Sequence, residues 1–243
     1  LRKLLLFMLT ILVTVLLAGC NDTDAIVVEE QTDPNASEQT ELIEETIRDE
    51  KVEMIEFHLI DEIVKLNLKN FPIIDHYLAQ HKNRQTAIDE MTLAPLDTTK
   101  KSLYLLTFAI KDQDASFLLI DTSKQRSALI QDQVALVDFY TIDNQTLLFQ
   151  FKKRDVNDDL LRHQLLAFNA EAFKTVDLIT DSELVEVETF HRFHWPIIDL
   201  NIANDGTINI TLPQVEEPTV DALATWRETE EQAEDLITLT LKD

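Results

Sequence analysis

Two histidines and a tryptophan stand close together in the run Phe190-His191-Arg192-Phe193-His194-Trp195-Pro196. Imidazole nitrogens ligate metals, and an indole beside them offers a broad face with a polar edge. On a strand, His191 and His194 face opposite sides. On a helix they share one, but Pro196 and the aromatics disfavour a helix. A zinc site needs a third protein ligand, and no spacing in this chain marks one, so no metal is expected. The segment reads either as an aromatic ligand-binding platform built from His191, His194 and Trp195, or as a loop or strand edge carrying amphipathic aromatics.

Other chemistry-bearing groups are weaker signals. Asp155, Asn157 and Asp159 match the start of a calcium loop, but Leu160 stands where that loop needs glycine and Leu166 where it needs glutamate. A polar hairpin loop is the better reading. Asp112 and Asp114 flank a turn and solvate it. The run Glu228, Glu230, Glu231, Glu234 and Asp235 reads as a solvated face or as a site for basic partners. His58, His76, His81 and His163 are unclustered, and the single thiol is Cys20. Paired carboxylates for glycoside hydrolysis are so numerous that no pair stands out.

Glycine bounds the chemistry further. Only Gly19 and Gly206 occur. A dinucleotide fingerprint, a P-loop and a nucleophile elbow each need more than one glycine, at a phosphate contact or a positive φ. Those enzyme classes are excluded, and no cofactor is expected.

The first twenty residues differ from the rest. Arg2 and Lys3 are the only cations before Arg48. They precede an apolar stretch from Leu4 to Leu17, broken by Thr10 and Thr14. Its length of about 14 residues falls short of the roughly 20 that a spanning helix needs. A basic start, a short apolar core and small residues at its end form a secretory signal. The end reads Leu17-Ala18-Gly19-Cys20. This run resembles the lipobox of bacterial lipoproteins. The resemblance covers about the first 21 residues. It implies cleavage between Gly19 and Cys20, diacylglycerol on the Cys20 thiol, and anchorage on the extracytoplasmic side of a cell membrane.

With residues 1–19 removed, 224 of the 243 residues remain, enough for one substantial domain or two small ones. The formal charge of −24 becomes −26 without Arg2 and Lys3. Such a chain is repelled by nucleic acid and anionic head groups, so membrane contact is expected through lipidated Cys20 alone. Cations, basic peptides and cationic protein patches are its favourable partners. Residues 20–50 are polar and acidic and read as a flexible tether, followed by an extracytoplasmic domain over 51–243.

The elements that position the candidate groups follow from periodicity. Val64, Leu66 and Leu68 alternate with polar residues and predict a strand, while Met54–Ile60 fits strand or helix. A helix is predicted from Asp75, as its cap, to Met91. From residue 100 onward strands follow one another: 103–110, 116–121, 126–130, 134–142, 146–152, 163–168, 173–179, 197–203, 207–212 and 236–241. Gly206 sits where a hairpin loop wants positive φ. Phe71-Pro72-Ile73-Ile74-Asp75 echoes Trp195-Pro196-Ile197-Ile198-Asp199, by chance or by duplication.

The expected fold is mainly β: an antiparallel meander sheet, whether curved sheet, sandwich or partial propeller, with a small helical N-terminal part. The expected role is binding a protein partner at the cell envelope. The alternatives are a transporter's solute-binding lipoprotein, which would show alternating βα units, and a carboxylate hydrolase, which would gather acids with a raised pKa in one cleft.

Overall fold

The computed structural model describes residues 54–98, 101–154 and 161–242. Gly19, Cys20, the acidic stretch 20–50 and the loop residues Asp155, Asn157, Asp159 and Leu160 lie outside them.

Seven strands form one antiparallel meander: β3 (Thr92–Pro95), β4 (Leu103–Lys111), β5 (Asp114–Asp121), β6 (Arg126–Thr141), β7 (Thr146–Arg154), β8 (Leu161–Asn169) and β9 (Lys174–Val176). Two strands were expected where β6 runs unbroken for 16 residues. The polar run Gln131-Asp132-Gln133 reads as a loop but forms an irregular bend instead. Gln133 takes φ +51, and the register slips between Ala115 and Leu118 on one side of β6 and between Leu136 and Asp138 on the other. Such bulges bend a strand without ending it. The sheet folds over at β6, and its two halves face each other.

Between the halves lie Leu105, Phe117 and Leu119 from one side and Leu147, Phe149 and Phe151 from the other. Phe117 and Phe151 meet with ring centroids 5.5 Å apart. Each such side chain contributes about 1.5–3 kcal/mol by leaving water. The alternate residues Tyr104, Leu106, Phe108, Leu118 and Ile120 point the other way. They pack on the hairpin β1 (Met54–His58) and β2 (Ile63–Asn67) and on helices α1 (Pro72–Ala79) and α2 (Arg84–Asp89). On the far side, Leu148, Leu165 and Ala167 pack on a second sheet. It contains β10 (Leu178–Ile179), β11 (Asp199–Ile202), β12 (Ile208–Pro213) and β13 (Glu234–Leu241), in the order β10-β13-β12-β11. The described residues form successive antiparallel meanders with three apolar cores between them, the mainly β fold expected.

Local chemistry explains where the boundaries move. The helix expected from Asp75 to Met91 starts at Pro72, whose fixed φ and missing N–H suit a first helical position. Asp75 lies in the first turn instead of capping it. The helix stops at Gln80, and Asn83 starts α2 by accepting a bond from the Thr86 N–H at 3.2 Å. The strand expected at 173–179 divides between two sheets, β9 staying with β8 and β10 pairing with β13. Helix α3 (Val220–Glu228) was not expected. Thr219 caps it by accepting from the Ala222 N–H at 3.2 Å, and Leu223 is its one fully buried residue. Gly206 takes φ +84, as the hairpin requires. The two echoing pentapeptides fold differently: Phe71 opens a helix, while Trp195 crosses a strand edge. No helix among the described residues is long and apolar enough to cross a membrane.

Candidate functional site

Strand β9 covers only the last residues of β8, from Ala167 to Asn169. The uncovered half of β8 is met by the segment after the 3-10 turn Val187–His191. There the His163 N–H donates to the Trp195 carbonyl at 2.8 Å, and the Ile197 N–H donates to His163 Nδ1 at 2.9 Å. Arg162 is 8% exposed and donates through Nη1 to the carbonyls of His194 at 2.8 Å and Pro218 at 2.6 Å. Gln164 Nε2 donates to the His191 carbonyl at 2.9 Å. Three successive residues of β8 thus hold the aromatic segment by its backbone.

This clamp sorts the three candidate residues. Trp195 points inward, 5% exposed, into the core shared with Phe190, Ile197, Leu212 and Ile237. His191 and His194 face solvent. The His194 ring stands edge-on to the indole, with centroids 5.9 Å apart. Among the described residues no group of three or more potential ligands is placed to hold a metal ion. Trp195, of the three, lines a cleft.

That site is a cleft of about 250 Å³ at the edge of the third core. Its apolar wall includes Leu212, Val215 and Ile237, with Trp195 and the exposed Leu184 beside them. Glu183, Glu216 and Asp235 bring three carboxylates to the same cleft, and no lysine or arginine lines it. The indole N–H of Trp195 is buried and has no hydrogen-bond partner. A buried donor without an acceptor costs stability until one arrives. The arrangement suits a ligand carrying an apolar stem, a positive charge and an acceptor.

Titration follows burial. His163 is pushed down to about 4, first by loss of hydration and then by the Lys152 charge opposite it on β7. Burial also lowers His194, and Arg162 adds to the effect. Glu56 lies below the usual carboxylate range because of Lys65, and Asp205 because the Thr207 N–H donates to it. This direction is opposite to that of a general acid.

A second hollow, at the loop end near Gly206, gathers Asp143, Asn144, Asn204 and Asp205. Its acids serve their own turns: Asp143 Oδ1 accepts from the N–H groups of Gln145 at 2.6 Å and Thr146 at 2.7 Å. The acidic run at 228–235 also divides, with Asp235 joining the Trp195 cleft and Gln214 Nε2 donating to it at 2.9 Å.

Sequence reasoning singled out Trp195 but missed Arg162 and His163, which position it, and the segments 183–185, 212–216 and 235–237 that complete the cleft. No short motif joins these segments. Comparisons of the chain with protein-family models, with curated proteins and with solved structures find no match.

Proposed function

We propose that this chain is a lipid-anchored extracytoplasmic lipoprotein whose β domain binds a protein partner at the cell envelope. The run Leu17-Ala18-Gly19-Cys20 supports the anchor. One observation carries the binding role: a cleft bounded by apolar side chains and three carboxylates, with a buried indole donor lacking an acceptor. The net charge of −24 favours a cationic partner surface over nucleic acid.

The test is a pull-down from cross-linked membranes, comparing the native chain with Cys20→Ala and reading captured proteins by mass spectrometry. The expected result is a specific membrane complex that the variant loses. A native chain that stays soluble and unlipidated overturns the anchor. A lipidated chain that captures no protein overturns the protein-binding role.

A further inference from the structure

We propose that the cleft at Trp195 takes one lysine- or arginine-bearing segment of a partner peptide. The cationic side chain lies along Leu212, Val215 and Ile237, its head reaches Glu183, Glu216 and Asp235, and a peptide carbonyl accepts from the Trp195 indole N–H. This inference rests on the binding role proposed above and names what the cleft recognises.

Four observations converge on that ligand. The volume, about 250 Å³, lies below the roughly 300–1,000 Å³ of sites for drug-sized molecules and suits a side chain or two. The wall is apolar while carboxylates accompany it, the environment in which a long basic side chain buries its stem and keeps its charge among acceptors. No cation competes from the lining. The buried Arg162 is not among the lining residues, and its Nη1 donates to the His194 and Pro218 carbonyls. Finally, the unpartnered indole N–H asks for an acceptor. A polyamine or a bare metal ion satisfies the carboxylates but leaves that donor unpaired. A peptide supplies both charge and carbonyl. The indole N–H is itself covered, so a wall side chain must shift for the carbonyl to reach it, and Leu184, 63% exposed, is the most exposed apolar residue of the lining.

The probe is an acetylated, amidated hexapeptide of alternating leucine and arginine, with its uncharged citrulline counterpart as control. The protein is the full chain purified from membranes in detergent, carrying Trp226→Phe so that Trp195 is the only tryptophan emitter. Binding is read from Trp195 emission at low and moderate salt. The arginine peptide is expected to shift the emission. Affinity should fall roughly tenfold for the citrulline peptide and for the triple variant Glu183→Gln, Glu216→Gln, Asp235→Asn, since each partly exposed charge pair contributes modestly. The three replaced residues are solvent-accessible, so the variant should keep the parent's melting temperature, which is measured alongside. Trp195 emission unchanged by millimolar peptide overturns the inference. So does an equal response to citrulline or in the triple variant. If the cross-linked complex still forms in that case, the binding role stands and another surface carries it.

Discussion

His163 offers a direct test of how the aromatic segment is held. Its Nδ1 accepts the Ile197 N–H at 2.9 Å, so the folded protein needs this imidazole neutral. Burial and the Lys152 charge bring its pKa to about 4, against an ordinary 6.5 in the unfolded chain. Between those values the unfolded chain binds more protons than the folded one, so stability falls as the pH falls through the window. From pH 7 to pH 5 the loss through this one group is about 2 kcal/mol, rising to about 3 kcal/mol below pH 4. The many carboxylates titrate as well, and a paired variant removes their contribution. In His163→Asn the amide oxygen can take the place of Nδ1 as acceptor, but it does not titrate. Urea unfolding of both chains at pH 7 and pH 5 should show the wild type losing about 2 kcal/mol more than the variant. An NMR titration of the imidazole should give a midpoint well below 6. Equal losses in the two chains, or a midpoint near 6.5, refute the reasoning.

Two further changes probe the scaffold. Asp121 is fully buried and accepts from Arg126 Nε at 3.0 Å and from the Ser123 hydroxyl at 2.7 Å. Asp121→Asn turns an amide donor toward the guanidinium or the hydroxyl, and urea unfolding should record a loss of about 3 kcal/mol. At Gly206 a Cβ would sit 3.3 Å from Ile142 Cγ2 while the backbone holds φ +84. Gly206→Ala should cost about 1–2 kcal/mol and lower the melting temperature by several degrees in a thermal scan.

Much of the chain's local structure was legible in its residues. Short apolar runs joined by tight turns placed β4, β5, β7 and β8, and the single glycine of the β region marked its hairpin. The misses share one cause: local patterns do not report what an element packs against. The polar run 131–133 resembles a loop, yet it bends a continuous strand because the flanking residues pair on both sides. Helix α3 has one fully buried residue, Leu223, too little periodicity to announce it. Asp75 looked like a cap, but Pro72 could begin the helix earlier because a first-turn residue needs no N–H partner.

The sequence by itself determined the β class, the antiparallel hairpins, the excluded glycine-dependent sites and the lipobox resemblance at Leu17-Ala18-Gly19-Cys20. The tertiary structure alone decided that the long sheet folds at β6, and that Trp195 leaves its neighbouring histidines to wall a cleft. A continuous apolar run says that both faces of a strand are covered, but not by which sheet. The carboxylates of Glu183, Glu216 and Asp235 stand far apart along the chain, and only the packing of the third core brings them to one indole.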